Sequence, residues 1–382
     1  MKNKVKKVLL ITHAMAPYRI PLFNYIHQMG DFDFKVITLA EREKNRIWRI
    51  SQNEIKFNQQ VLPGLHFYIY GEKREIPIHL NRKVIVTIWQ YNPDVIITAG
   101  YDSLAYWQAF LYCKIFKKKY ILWNESSLLS VGSVKGIRGL FKRFIIKRSS
   151  NYIAFGTKAK EYLEFLGANP KNIFISVNTV DLEYFRGEVL KLKEDVNFLV
   201  KRKKYPKILF LFVGRLIKIK GSNQILSALN ILKDNEIGLL IVGSGPEEKN
   251  LKKFCKENNM KNVFFEGYCQ QSELPKYYAL ADIFILPSFQ EVWGLVVNEA
   301  LSSGLYVLCS KYAGSAYDLI KEGWNGEVFD PTNIDEVVGL IKQTKENIIN
   351  IRKKREIISQ YICKDFGIKV SAKAFLEAIK NV

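Results

Sequence analysis

Short apolar runs alternate with amphipathic stretches along almost the whole chain. "KVLLITH" (7–13) predicts a strand, "PYRIPLFNYIHQM" (17–29) a helix, and "FKVITLA" (34–40) a second strand. "PDVIITAG" and "KKYILWNES" are apolar on both faces, as strands buried within a parallel sheet are. "NYIAFGTKAKEYLEFLG" predicts a strand, a turn and a helix, and "NIFISVNTVD" a strand with a polar end. The pattern weakens over "GEVLKLKEDVNFLVKRKKYP" (187–206), a charged stretch ending in Pro206 that reads as a connection between domains. Alternation restarts with "KILFLFVGRL", followed by the short runs "IGLLIVGSGP", "NVFFEGY", "ADIFILPS" and "LYVLCS". Strand–helix alternation at this spacing implies right-handed parallel crossovers. Two such series predict an α/β protein of two doubly wound parallel-sheet domains facing a central cleft. Ligands of such sheets bind beyond the carboxyl ends of the strands.

Composition narrows the class. The 382 residues are 48% apolar and 13% aromatic, which excludes a disordered chain and allows two or three domains of roughly 150 residues. No apolar run approaches the ~20 residues of a membrane span. The start "MKNKVKKVLLITHAM" has only "VLLI" before Thr12 and His13, so it reads as a strand rather than a signal peptide. The five scattered cysteines form no C-x-x-C, which points to a reducing, cytoplasmic setting and away from a zinc site. Net charge is +21, and residues 1–185 hold 28 Lys and Arg against 14 Asp and Glu. A basic first half implies an anionic partner: lipid, nucleic acid or an acidic substrate. Nucleic-acid binding lacks a recognisable module and is set aside.

Candidate chemistry concentrates in the second half. Gly214 and Arg215 follow a strand directly, and Lys220 and Gly221 open the next helix. Arg offers a planar fork to phosphate oxygens and Lys a mobile charge, although either alone reads as a solvated loop cation. "IVGSGP" adds a second strand–glycine turn at Gly243 and Gly245, without the third glycine of a dinucleotide fingerprint. In "ILPSFQEVWGLVVNEALSSG", Gly294 opens a helix and Gly304 closes it. The first N–H groups of that helix are unpartnered and partly positive, a seat for phosphate. Glu291 precedes that seat and Glu299 lies over the first turns, where carboxylates can accept hydroxyls. The alternatives are a loop charge for Glu291 and a helix-surface residue for Glu299.

These motifs resemble the retaining glycosyltransferases of family 4, also called group 1. "FVGRL…KG", "IVGSGP", "GY…ELPKYYALADIFILPS" and "EVWGLVVNEALSSG", with the spacing E-x7-E, carry the resemblance. "APYRIPLFNYI", "LWNESS", "AFGTKAKEYL" and "SVNTVDLEYF" extend it through the first half. It implies the GT-B arrangement, with an acceptor domain over 1–185, a donor domain over 186–365, and a C-terminal helix near 366–382 packing back on the first. It implies that Arg215 and Lys220 contact the diphosphate of a UDP- or GDP-sugar, that Glu299 binds ribose and that Glu291 binds the transferred sugar. Gly214, Gly245, Gly294 and Leu295 would present backbone to the donor, and Gly267 and Tyr268 would border the base. The implied reaction moves a hexose to a hydroxyl of a glycan or lipid-linked acceptor, as in bacterial polysaccharide or lipopolysaccharide synthesis, without metal or other cofactor. A nucleotide-sugar epimerase or a phosphorylase of the same fold is the alternative.

The first half departs from the family in two places. "THAMAPYR" has no glycine where many members carry a glycine-rich loop, leaving Arg19 to face phosphates or to serve as a helix-start charge. "LWNESS" leaves Asn124 or Glu125 where many members place a histidine, with Glu125 a base if burial raises its pKa. His13 reads as a structural strand-end residue, and His27, His66 and His79 are left unassigned. "DFD" at 31–33 reads as a turn. The segment 134–149 places Ile137, Leu140, Phe141 and Phe144 at helical spacing beside Lys135, Arg138, Lys142, Lys147 and Arg148. Such a helix either packs its apolar face on its own sheet or lies on an anionic membrane at the inner face of the cell.

Overall fold

The computed structural model describes residues 5–42, 50–70, 75–130 and 136–382. The chain divides into two compact units, residues 1–180 with 368–382, and residues 181–367.

In the first unit, β1 (Lys6–Thr12), β2 (Phe32–Thr38) and β3 (Asn58–Val61) pair in parallel on one side, and β4 (Leu65–Tyr70) and β5 (Glu75–Leu80) form a separate antiparallel hairpin. β6 (Val95–Thr98), β7 (Lys119–Asn124), β8 (Asn151–Ala154) and β9 (Ile173–Ile175) continue the sheet, giving the order β3-β2-β1-β6-β7-β8-β9. The reversal at β1 places a topological switch point beside that strand's carboxyl end. Helices α1 (Ile20–Met29), α2 (Val84–Tyr91), α3 (Leu104–Ile115), α4 (Gly136–Ile146) and α5 (Thr157–Phe165) supply the crossovers. The fully buried runs Val8–Ile11, Val95–Ile97 and Tyr120–Leu122 form the sheet's core, which explains their lack of polar alternation.

The second unit begins with α6 (Leu182–Glu194) and α7 (Val196–Arg202). Strands β10 (Ile208–Val213), β11 (Ile237–Val242), β12 (Val263–Gly267), β13 (Ile283–Leu286), β14 (Tyr306–Ser310) and β15 (Gly326–Phe329) are all parallel, in the order β12-β11-β10-β13-β14-β15. Between and after them run α8 (Ser222–Leu232), α9 (Glu248–Glu257), α10 (Leu274–Leu280), α11 (Leu295–Ser302), α12 (Ala316–Leu319), α13 (Ile334–Glu346), α14 (Ile348–Lys353) and α15 (Arg355–Phe366). The last helix, α16 (Ile368–Lys380), belongs to the first unit. There Asn151 donates to the Ala378 carbonyl at 2.9 Å and Lys6 to that of Ile379 at 3.0 Å.

Two expectations are corrected. Residues 187–206 are not an open connection: they lie mostly in α6 and α7, because Leu182, Phe185, Val189 and Phe198 are buried while Glu183, Lys191, Glu194 and Lys201 are exposed. In "DFD", Phe32 and Asp33 are strand rather than turn, pairing with Lys6 and Lys7 of β1.

Candidate active site

The strands of the second sheet run parallel, so the chain leaves β10, β11, β12, β13 and β14 along one edge. Two glycine turns meet there. The Gly214 N–H donates to the Val242 carbonyl at 3.0 Å, and a Cβ on Gly243, whose φ is +138°, would fall 1.9 Å from the Gly214 oxygen. A Cβ on Gly245 would fall 2.4 Å from the Leu216 carbonyl. Both positions demand close backbone approach, which only glycine allows. Arg215 leaves this junction exposed to solvent. Gly267 ends β12 with φ +71°, its carbonyl accepting from the Gly243 N–H at 2.7 Å, and the next residue, Tyr268, is exposed.

A short 3-10 turn over Lys218–Lys220 follows, closed by Gly221 at φ +69°. The missing side chain of Gly221 admits the Pro287 carbonyl, which a Cβ would meet at 2.1 Å. The Phe289 N–H donates to the Ile219 carbonyl at 2.8 Å, and the Glu291 N–H to that of Tyr312 at 3.1 Å. These contacts lay the loop after β13 along the 3-10 turn, so that Lys220 forms an ion pair with Glu291. Gly294 caps α11 with φ +92°, and a Cβ there would crowd Leu286 and Glu291 at 3.1 and 3.2 Å. Leu295 is the first helical residue, so its N–H has no acceptor within the helix.

Glu299, on the second turn of α11, is only 5% exposed, which removes its reading as a helix-surface residue. The Tyr278 hydroxyl donates to it at 2.7 Å. Burial pushes its carboxyl up to about 7, with the Tyr278 hydrogen bond opposing. The structure therefore brings Gly214, Arg215, Lys220, Gly245, Tyr268, Glu291, Gly294, Leu295 and Glu299 onto elements leaving or flanking one sheet edge. Cations and unpartnered N–H groups suit an anionic group there, and carboxylates suit hydroxyls.

The first unit holds its own polar cluster. Arg19 donates to Thr12 at 3.1 Å, lies 3.5 Å from Glu125 and stacks on Trp123 at 4.6 Å. Asn124 is buried and donates to the Ser126 carbonyl at 2.8 Å, so it serves the loop. The burial on which a base role for Glu125 depended is absent, since its side chain is half-exposed beside Arg19. Three of the four histidines assemble nearby. His66 and His79 face each other across the hairpin with Nδ1 atoms 2.9 Å apart, and His13 packs on His79 and reaches Asp102 at 3.4 Å. Burial, with the charges of His13 and His66, lowers His79 to about 4. Pairing the alternating segments "LHFYIY" and "EIPIHL" as a hairpin is the signal that would have joined His66 to His79. Among the described residues no group of three or more His, Cys, Asp or Glu side chains could hold a metal ion.

Two parallel-sheet α/β units, one carrying a cation–carboxylate site at its carboxyl edge, make this a GT-B protein. Residues 194–365 match the family model of glycosyl transferases group 1. An uncharacterized glycosyltransferase of Haemophilus influenzae is 30% identical over 256 residues, 66% of this chain and 67% of that protein. The sulfoquinovosyl transferase of Arabidopsis thaliana is 34% identical over 157 residues, 40% of this chain. The chain spans 29% of that protein's length, and 39% of a second relative matched over 154 residues. Among solved structures, HepE of Anabaena in complex with UDP-glucose superposes with a TM-score of 0.72 at 17% identity, covering 98% of this chain and all of that one. The chain belongs to the group 1 glycosyltransferases.

Proposed function

We propose that the protein is a retaining hexosyltransferase that moves a sugar from a UDP- or GDP-linked donor to a hydroxyl of a glycan or glycolipid, in cell-surface polysaccharide or lipopolysaccharide synthesis. The observation that carries this reading is the Lys220–Glu291 ion pair beside the start of α11. A diphosphate entering that site takes Lys220 and Arg215 as counterions and frees the Glu291 carboxylate to accept sugar hydroxyls. The Leu295 N–H meets the same anion. Glu299, held by Tyr278, receives a vicinal diol, and ribose supplies one. Neutralising the departing diphosphate is then electrostatic work done by side chains already in place. HepE, a protein of the same fold, binds UDP-glucose, which supports a nucleotide-sugar donor. The sequence offers no nucleophile for the sugar's far face, and retention by departure and attack on one face is what the resemblance to the retaining glycosyltransferases implies.

Thermal-shift screening against UDP, GDP and their sugars tests the donor. A true donor at 100 times its Kd stabilises by about 2.7 kcal/mol. Lys220→Ala should lower donor turnover by about two to three orders of magnitude with an unchanged melting curve in the absence of ligand. Wild-type turnover in that variant defeats the reading. Proton NMR of the product reports retention or inversion directly.

A further inference from the structure

Helix α3, "LAYWQAFLYCKI", carries one charge, Lys114, and is apolar all round. Such a helix is normally buried on every side. Its inner face is: Ala105, Ala109, Phe110 and Cys113 join the core. Its outer stripe is not, since Leu104, Leu111 and Ile115 are at least half exposed, Ile115 at 71%. Neighbouring α4 repeats the arrangement. Ile145 and Ile146 are buried, but Leu140, Phe141 and Phe144 face solvent, Leu140 at 68%. Of the two alternatives for 134–149, packing of the apolar face on its own sheet thus holds only in part; Lys135 and the side chains of Ile137 and Arg138 lie outside the described residues. The two helices are joined edge to edge, Trp107 against Phe141 at 5.7 Å and Phe110 against Phe144 at 6.0 Å. On the other flank α2 packs against α3 and exposes Ile85, Val86 and Trp89.

Cations frame this surface. Lys142, Arg143, Lys147 and Arg148 lie on or just after α4, and 136–151 contains no Asp or Glu. Lys114, Lys117, Lys118 and Lys119 end or follow α3, with Arg82 and Lys83 before α2. Asp94 and Asp102 are the acids between residues 82 and 119. The Arg148 guanidinium lies over the Phe144 ring at 4.1 Å, which holds its charge at the edge of the apolar surface.

We propose that the outer faces of α2, α3 and α4 dock on an anionic lipid bilayer. Exposed apolar area of this extent on adjacent helices marks an interaction surface, and a cation rim selects anionic headgroups. Aliphatic and aromatic side chains enter the headgroup–acyl boundary while lysines and arginines stay at the phosphates. A second copy is the poorer occupant, because a two-fold pairing of this face sets its cations against their own images. Nucleic acid is poorer too, because Leu104, Leu111, Ile115 and Leu140 offer no plane for base stacking.

Flotation of the full chain with vesicles tests this without donor or acceptor, so the outcome is independent of the transferase reading. The protein should bind 70:30 phosphatidylcholine–phosphatidylglycerol vesicles at 50 mM NaCl and lose at least about tenfold in affinity at 500 mM or on pure phosphatidylcholine. Leu111→Ser with Ile115→Ser, and Lys117→Glu with Lys147→Glu and Arg148→Glu, should each cut binding about tenfold with unaltered melting curves, since these side chains are exposed. Equal binding to neutral and anionic vesicles, wild-type binding by both variants, tighter binding to single-stranded RNA, or a sedimentation dimer abolished by the serine pair would overturn the proposal.

Discussion

The two units share one plan and divide its uses. Each is a parallel sheet that reverses direction beside its first strand. Over the full sequence, residues 1–180 with 368–382 hold 31 Lys and Arg against 13 Asp and Glu, a balance of +18. Residues 181–367 hold 27 against 24, a balance of +3. The nearly neutral unit carries the glycine turns and the Lys220–Glu291 pair, and the strongly basic unit carries the exposed apolar helices. Net charge and site residues are thus separable: the proposed anion site lies in the unit with the small excess, and the proposed docking surface in the unit with the large one.

One position shows how differently the same plan is secured. Asp94 precedes β6, which pairs with β1, and Asp282 precedes β13, which pairs with β10. Each carboxylate accepts a backbone N–H of that neighbouring strand or its start, Lys7 in one unit and Leu209 in the other, both at 2.9 Å. Asp94 adds Lys118 at 3.5 Å, with its side chain 32% exposed. Asp282 is buried and takes Arg202, Arg352 and Arg355 at 2.9, 2.9 and 2.7 Å. Burial pushes its carboxyl up, and the hydrogen bond from Arg352 with the charge of Arg355 outweighs that and leaves it below its ordinary value. Asp282→Ala leaves three partly buried guanidinium groups without their shared counterion and should destabilise the second unit by about 3 kcal/mol. Asp94→Ala should cost the first about 1 kcal/mol. Denaturant melts read by hydrogen exchange in each unit check this, and equal losses would erase the contrast.

The units should also answer pH with opposite signs. His79, lowered to about 4, leaves the folded first unit with fewer protons than the unfolded chain between about 4 and 6.5. Stability there rises with pH across that window, by at most about 3 kcal/mol. Glu299, raised to about 7, gives the folded second unit the extra proton between about 4.5 and 7. Its contribution is fully present below 4.5 and is lost as pH rises through 7, again about 3 kcal/mol at most. His79→Phe should flatten the first slope and Glu299→Gln the second, each without changing the other. Unit-resolved amide exchange at pH 4.5 and 7 reads both, and a shared sign in the wild type would refute the pairing.

Much of this was legible beforehand, for identifiable reasons. Buried parallel strands are continuous apolar runs, so β1, β6, β7, β10, β11, β13 and β14 stand out. β3 is half-exposed, and the hairpin of β4 and β5 lies outside the main sheet, so neither carries that signature. Helices α6 and α7 hid because their exposed faces are charged enough to mask Leu182, Phe185 and Val189. The types and spacing of Arg215, Lys220, Glu291 and Glu299 marked a candidate site, but the meeting of Lys220 with Glu291 depends on the Pro287 carbonyl entering the space left by Gly221. No spacing rule encodes a contact between a 3-10 turn and a loop more than sixty residues later. Asn124 and Glu125 could not be told apart because adjacent residues at a strand end point oppositely, and only the fold shows which is buried.

The subtlest difference between the units is where one stops. A boundary after 185 was expected, and the structure divides the chain after Val180. Asp181 caps α6, its carboxylate accepting the Tyr184 N–H at 3.1 Å. Phe185 packs edge-on against Tyr278 at 5.8 Å, and Tyr278 holds Glu299. The first turn of α6 therefore supports the candidate site through one aromatic contact. Removing the cap with Asp181→Ala should cost about 1 kcal/mol, and Asp181→Asn, an equally good cap, close to nothing. If α6 belongs to the second unit, the alanine variant lowers amide protection about fivefold in α6 and α10 and leaves β1 and α16 unchanged. Equal loss in β1 and α16 would move residues 181–185 back to the first unit.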